Sequence, residues 1–96
     1  MTTMTKKVMI LETADPDEAA HNAKITFSGS ELGSTQKAVF IFAGKETPTE
    51  CTPVPGSTTQ ATANVPNALP YGGGQVYLEG THDRRSNTVT FDVLKS

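Results

Sequence analysis

The chain has 96 residues, of which 35% are hydrophobic and 19% charged, and its formal net charge is -2. This length corresponds to one domain with one modest core. The eight basic residues are scattered along the chain, whereas a nucleic-acid surface concentrates them into a stripe, so we expect no nucleic-acid binding. The single cysteine, Cys51, allows no disulfide within the chain, and the fold therefore does not depend on an oxidising compartment.

The N-terminal residues carry no targeting or membrane signal that we recognise. Only four strongly apolar residues, Val8 to Leu11, follow the polar start of the chain. A secretory signal needs an apolar run of about 7–15 residues and a membrane-spanning helix about 20. We expect no membrane insertion, a disordered tail over residues 1–5, and a single domain over residues 6–96.

The first half of the chain predicts three strands. Lys6 to Glu12 is an apolar run, and in Ala23 to Ser28 the apolar Ile25 and Phe27 alternate with polar neighbours. Alternation with period two indicates a strand that is buried on one face. Lys37 to Ala43 is the third strand, and its segment Val39 to Phe42 is apolar on both faces, which predicts a central strand or one whose second face meets a partner.

Two segments between these strands have a different character. Asp15-Pro16-Asp17 ends the first strand, because proline restricts the residue before it. Glu18 to His21 could make one helical turn, with the aspartates as its caps. Because the first strand carries no proline or other protection, we also expect that its edge could pair with a neighbouring chain.

The second half predicts four more strands. Glu46 to Val54 contains Pro48 and Pro53, which cannot donate to a ladder, so this segment is an edge strand or a switch between sheets. Gly72 to Gly74 is interpreted as a flexible hairpin turn. The last three strands are Ala61 to Pro66, Gln75 to Glu79 and Thr88 to Leu94. About seven strands without a substantial helix predict an all-β fold, specifically an immunoglobulin-like antiparallel β-sandwich.

Several of these segments together resemble the IPT/TIG domains, an immunoglobulin-like family. The similar segments are Ile25 to Ser30 with Leu32-Gly33, Val39 to Lys45, Ala61 to Pro66, Gly74 to Leu78 and Ser86 to Phe91. Two departures are Leu32, where the family usually has phenylalanine, and the proline-rich segment around Cys51. The resemblance implies a non-enzymatic module for adhesion, partner binding or spacing.

No catalytic, cofactor or metal site is predicted. The only histidines, His21 and His82, fall in predicted loops without a nucleophile and carboxylate arranged around them. Asp15, Asp17 and Glu18 lack the glycine and the ligand spacing of a calcium loop, so a solvated turn is favoured. Cys51 has no adjacent basic pair to activate it, and we expect a half-buried structural cysteine.

Two features are candidate binding sites. The loop between the last two strands carries His82, Asp83, Arg84 and Arg85, and loops at the ends of a sandwich often bind partners. The ring of Tyr71 could stack on a sugar or pack on the neighbouring turn. An ordinary solvated loop is the competing interpretation of the first feature.

From these observations we predict a non-enzymatic structural or interaction module. Its expected role is that of a small virion accessory protein, a capsid decoration or tail component, located in the virion or in the cytoplasm before assembly. The alternative is an extracellular carbohydrate- or protein-binding domain cut from a larger surface protein or enzyme. The sequence leaves the oligomeric state open.

Overall fold

The computed structural model describes residues 8–81 and 84–95, and it confirms that the protein is all-β. These ranges contain no helix, and hence none that is long and apolar enough to cross a membrane. The predicted tail over residues 1–5 lies outside them. The eight strands are β1 (Ile10–Asp15), β2 (Glu18–Ala19), β3 (Lys24–Ser30), β4 (Thr35–Phe42), β5 (Lys45–Pro53), β6 (Gln60–Asn64), β7 (Gly72–Gly80) and β8 (Val89–Val93).

The strands form a closed, barrel-like mixed sheet in the order β1-β3-β6-β5-β4-β7-β8-β2. Every neighbouring pair is antiparallel except β2 and β8, which are parallel. The two strands at the ends of this order, β1 and β2, follow each other in the chain across Pro16. The chain therefore pairs first with β3 and then with β8, which brings the two ends of the sheet together.

The sheet has two halves, one with β1, β3 and β6 and the other with β4, β7, β8 and β2. The chain passes from one half to the other between β1 and β2, and again within β5. Its residues Lys45 to Glu50 pair with β4, whereas Cys51 to Pro53 pair with β6. The strand pairs with β4 only along its first part and with β6 only at its end, which confirms the prediction that this segment switches from one half of the sheet to the other. The prolines are tolerated because each part of the strand is paired on one side only. Strand β4 lies between β5 and β7 and is central, as predicted.

The core lies inside the closed sheet and contains all four phenylalanines. Phe40 and Phe91 meet edge to face, with ring centroids 5.7 Å apart, which is a favourable geometry for aromatic rings. Burying each such side chain contributes about 1.5–3 kcal/mol. The largest fully buried side chains are Phe27, Phe40, Phe91, Met9, Leu11, Ile25, Leu32, Leu78, Val65, Val76 and Cys51.

The predicted helical turn over Glu18 to His21 is wrong, and with it the prediction that the aspartates cap a helix. Glu18 and Ala19 form β2 instead. The backbone N–H of Asp92 donates to the carbonyl of Asp17 over 3.1 Å, and that of Leu94 donates to the carbonyl of Ala19 over 2.8 Å. The free edge of β8 thus determines the local structure, because a four-residue helix has too little intrinsic stability to compete.

The predicted turn at Gly72 to Gly74 is also wrong, since these glycines begin β7 and pair with β8. At Gly74 an added Cβ would lie 2.7 Å from the carbonyl oxygen of Ile41 and from the ring of Phe42. A glycine is therefore needed here because β4 and its phenylalanine approach the β7 backbone too closely for any side chain.

The edge of β1 is protected at Leu11, by a contact that its sequence did not indicate. The side-chain amide of Asn87 donates through Nδ2 to the carbonyl of Leu11, and its Oδ1 accepts from the Leu11 N–H, both over 2.9 Å. This amide takes the place of a neighbouring strand at Leu11, so that part of the β1 edge offers no free backbone groups to another chain.

Candidate functional site

The outward side of β5, β4 and β7 carries a surface that we call the Tyr77 face. Along β4, Ala38, Phe40 and Phe42 are buried in the core, so Lys37, Val39 and Ile41 point outward. The strand register then places the outward residues of the three strands in rows. The Tyr77 face consists of Glu46, Pro48, Glu50, Lys37, Val39, Ile41, Gln75, Tyr77, Glu79 and, beside Glu79, Arg85.

Two apolar side chains of this face are buried although they point away from the core. Tyr77 is 3% exposed and Val39 is 4% exposed. The hydroxyl of Tyr77 donates to Oε2 of Glu46 over 3.4 Å, so the tyrosine side chain reaches across β4 to β5. Val39 is on β4, directly opposite Tyr77 in the same row. The tyrosine side chain therefore covers Val39, and the sheet carries a second, thin apolar layer outside the core.

Arg85 covers this layer in turn. Its guanidinium carbon lies 4.8 Å from the centroid of the Tyr77 ring, and its Nη2 lies 3.3 Å from Oε2 of Glu79. The Arg85 side chain is still 61% exposed. Burial raises the pKa of Tyr77 above its ordinary value, and the neighbouring Arg85 charge opposes that rise. The phenol is therefore neutral at physiological pH and presents a ring and a hydroxyl.

Four charged residues form one row along an edge of the Tyr77 face. Glu50 lies opposite Lys37, Lys37 lies opposite Glu79, and Glu79 is bridged to Arg85. The charge alternates in sign along the row. Directly opposed unlike charges stabilise a sheet modestly, by about 0.2–1 kcal/mol for each pair.

The structure does not bring the predicted binding residues together. Tyr71 precedes β7, whereas Arg84 and Arg85 follow its other end. Nine residues of strand separate them, which corresponds to about 30 Å. The N–H of Gly80 donates to the carbonyl of Arg84, which holds the base of the hairpin. His82 and Asp83 lie outside the described residues.

Tyr71 belongs to a second aromatic cluster at the opposite end of the molecule. Its ring is 5.1 Å from that of His21, and the residue is 54% exposed. His21 Nε2 donates to the carbonyl of Leu69 over 2.7 Å. The prediction of a solvated loop histidine is therefore wrong for His21, since it is half-buried and joins two loops. Tyr71 packs on a neighbouring turn, which is one of the two predicted alternatives.

The remaining candidate residues are not arranged around a common centre. Asp15, Asp17 and Glu18 line an open groove of about 580 Å³ beside Leu94. In the described part of the chain no three metal-ligating side chains come together. Cys51 is buried more fully than predicted, at 2% exposed, and burial raises its pKa from 9.0 to about 12. A thiol that keeps its proton is a poor nucleophile.

Neither the protein-family models nor the curated proteins contain a match to this chain. The IPT/TIG resemblance therefore stays a prediction. Of the proposed binding residues that the structure describes, Tyr71, Arg84 and Arg85, only Arg85 belongs to the Tyr77 face. The sequence feature that indicates this face is the segment Val39 to Phe42, which is apolar on both sides of its strand.

Proposed function

We propose that this chain is a non-enzymatic, immunoglobulin-like interaction module that binds a protein partner through the Tyr77 face. Strand connectivity supports the immunoglobulin-like part of the proposal. β1 pairs with β3 and β2 with β8, and β5 passes from β4 to β6. Strands that leave one antiparallel layer for the other at two places are typical of sandwiches of this type.

The observation that carries the proposal is the outward pair of Tyr77 and Arg85. Tyrosine and arginine are the side chains most enriched at interface hot spots, together with tryptophan. Here they cover Val39, and the charged residues around them form a polar rim. Tyr77 and Val39 are almost fully buried, so a partner would meet the exposed Arg85 guanidinium over the ring and the charged residues beside it.

The setting we propose is a virion, with the chain as a small accessory protein on a capsid or tail. This extends the prediction from the sequence, in which a small immunoglobulin-like module acts as a decoration on a larger assembly. A symmetric assembly repeats its surface many times, so a weak contact on one face of each module is strengthened by simultaneous attachment. The net charge of -2 places no large repulsive field on such a surface.

Co-sedimentation with shells or tails that lack this protein tests the proposal. We expect wild-type protein to be retained on assembled particles but not on isolated subunits. Arg85→Glu reverses a charge on the Tyr77 face and should abolish retention. The matched control Tyr71→Ala, at the opposite end, should leave it unchanged. Equal retention of both variants, or none of the wild type, contradicts the proposal.

A second candidate function follows from the exposed ring of Tyr71. Because His21 fixes one side of that ring and 54% of the residue stays exposed, the free face is available for a sugar. Under this candidate, a glycan array shows binding that Tyr71→Ala abolishes and Arg85→Glu does not. An array without signal contradicts it.

A further inference from the structure

We propose that the Tyr77 face takes a second copy of this chain. The two copies are related by a two-fold axis that lies between their sheets, runs parallel to the strands, and passes midway between β4 and β7. The inference rests on the proposed function only in using the same face as the interaction surface. It adds the identity of a partner and the orientation in which that partner binds.

The charged row carries this inference. In order across the sheet, Glu50, Lys37, Glu79 and Arg85 have the signs minus, plus, minus and plus. A two-fold axis through the middle of the row reverses this order in the facing copy. Glu50 then lies opposite Arg85 of the other copy, and Lys37 opposite Glu79. All four facing positions are occupied by unlike charges, so the row is complementary to itself.

The same charges disfavour the other face-to-face arrangement. An axis perpendicular to the strands would keep each strand opposite itself and exchange the two ends of the face. Glu46 would then lie opposite Glu50 of the other copy, because both belong to β5. Like charges brought together at an interface weaken association. Electrostatics therefore selects the axis parallel to the strands.

The centre and the rim of the face fit this arrangement. The axis places Tyr77 opposite Val39 of the other copy, and because both side chains are already almost fully buried within each copy, the facing charges supply the contact. Beside Glu50, a shallow depression of about 300 Å³ is lined in part by Lys37 and Pro48, and it offers space for the Arg85 side chain that approaches Glu50. Breaking the Arg85–Glu79 pair costs little, because that pair is exposed.

The area of the face sets the strength of the contact. Three strand spacings and five residues of strand correspond to a patch of about 15 Å by 15 Å. A standard interface buries about 800 Å² on each partner, several times the area of this patch. We therefore expect a weak dimer that forms at high micromolar concentration, and that is strengthened where an assembly holds many copies close together.

Charge reversal with rescue between two variants tests the proposal. In Lys37→Glu, position 37 faces Glu79 of an identical copy and the two acidic groups repel. In Glu79→Lys, position 79 faces Lys37 of an identical copy and the two basic groups repel. In a mixture of the two variants, every facing position again carries unlike charges. Sedimentation velocity over a concentration series measures each protein alone and the equimolar mixture.

We expect each single variant to associate at least about tenfold more weakly than wild type, since each reversal disturbs two symmetry-related contacts. The mixture should recover association to within about threefold, and added salt should weaken it. Lys24→Glu makes the same charge change on β3, outside this face, and should associate as wild type does. Circular dichroism of each variant establishes that it is folded, and rescue by mixing requires both to fold.

If either of these variants fails to fold, Glu50→Arg and Arg85→Glu form an equivalent pair with the same expected rescue. A mixture that stays monomeric while wild type dimerises overturns the proposed orientation, and a wild type that stays monomeric at millimolar concentration overturns the proposal. The co-sedimentation experiment tests the proposed function independently of the dimer. Retention on particles that depends on Arg85, combined with a monomeric mixture, removes the second copy but leaves the proposed function standing.

Discussion

The two outward faces of this molecule cover the same core but differ in character. On β3 and β6 the outward residues include Thr26, Ser28 and Thr62, and none of them is fully buried. On β4 and β7 the outward residues include Val39 and Tyr77, which are as buried as core residues. Both faces obey the same period-two alternation, so alternation alone does not explain the difference.

Corresponding rows on the two faces show what the difference means. Thr26, Thr62 and Thr52 lie side by side on the first face, and polar β-branched side chains need no cover there. Pro48, Val39 and Tyr77 lie side by side on the second face, where Arg85 covers the ring. If the core alone were enough for this fold, the β4 and β7 face could be polar like the β3 and β6 face. The added apolar layer, with Arg85 over it, is the difference on which the proposed interface rests.

The largest predicted effect concerns Cys51, at the point where β5 passes from one half of the sheet to the other. Burial raises the pKa of its thiol from 9.0 to about 12. The unfolded chain loses this proton near pH 9 while the folded chain retains it, so stability falls as pH rises from about 9 to 12. At up to 1.36 kcal/mol per pH unit, the loss approaches about 4 kcal/mol.

Urea unfolding of wild type and Cys51→Ala at a series of pH values from 8 to 11 measures this effect. Other groups that titrate in this range are common to both proteins and cancel in the difference. We expect wild type to be the more stable protein at pH 8 and its advantage to shrink steadily as pH rises. Parallel stability curves would contradict the prediction.

The second prediction compares one residue from each face. Tyr77→Ala removes the ring that covers Val39 and should lower the free energy of unfolding by about 2–3 kcal/mol, somewhat less than a truncation in the core. Thr62→Ala, on the other face, should change it by less than about 0.5 kcal/mol. Tyr77→Phe retains the ring and should lie close to wild type. Thermal or urea unfolding of the three variants distinguishes an apolar layer from an ordinary solvated face, on which the two alanine variants would behave alike.

The strands were predictable from the sequence because their signal is local. The alternation in Ala23 to Ser28, the apolar segment Val39 to Phe42 and the prolines of β5 each carry their meaning within a few residues. The features that were missed depend on distant partners. β2 exists because β8 offers it an edge, and Gly74 is required because β4 approaches it. Neither relation can be recognised from the residues that are adjacent in sequence.

The candidate site was predictable only in part, for the same reason. Arg85 was a candidate binding residue from the sequence alone, and the structure places it on the Tyr77 face. Its target, Tyr77, could not be named, because its place beside Val39 depends on the register between β4 and β7. Tyr71 was chosen as an exposed aromatic residue, and it lies at the other end of β7. A pattern along one strand does not contain the register of its neighbours.

The third prediction concerns Asn87, whose side chain joins the edge of β1 to the other half of the sheet. Asn87→Ala removes both hydrogen bonds to Leu11 and should cost about 1–2 kcal/mol. Asn64→Ala, at an exposed position on β6, is the matched control and should be nearly neutral. Hydrogen exchange of the Leu11 amide should become faster in the first variant only. If the rate at Leu11 does not change, the edge of β1 is closed by some other contact.

The smallest predicted effect separates the two roles of Arg85 on the Tyr77 face, cover and charge. Arg85→Met keeps a long side chain over the ring but removes the charge, so stability should fall by no more than about 1 kcal/mol. Because the Arg85 charge holds the pKa of Tyr77 down against the effect of burial, the pKa of Tyr77 should rise further in this variant. Ultraviolet titration at alkaline pH follows the phenol, and a Tyr71→Phe background leaves Tyr77 as the only tyrosine observed.

Arg85→Lys retains a charge and should titrate nearly as wild type does. A lower pKa in Arg85→Met would mean that the arginine acts mainly by excluding water from the ring, and the Tyr77 face would then be an apolar surface without a specific electrostatic contact at its centre.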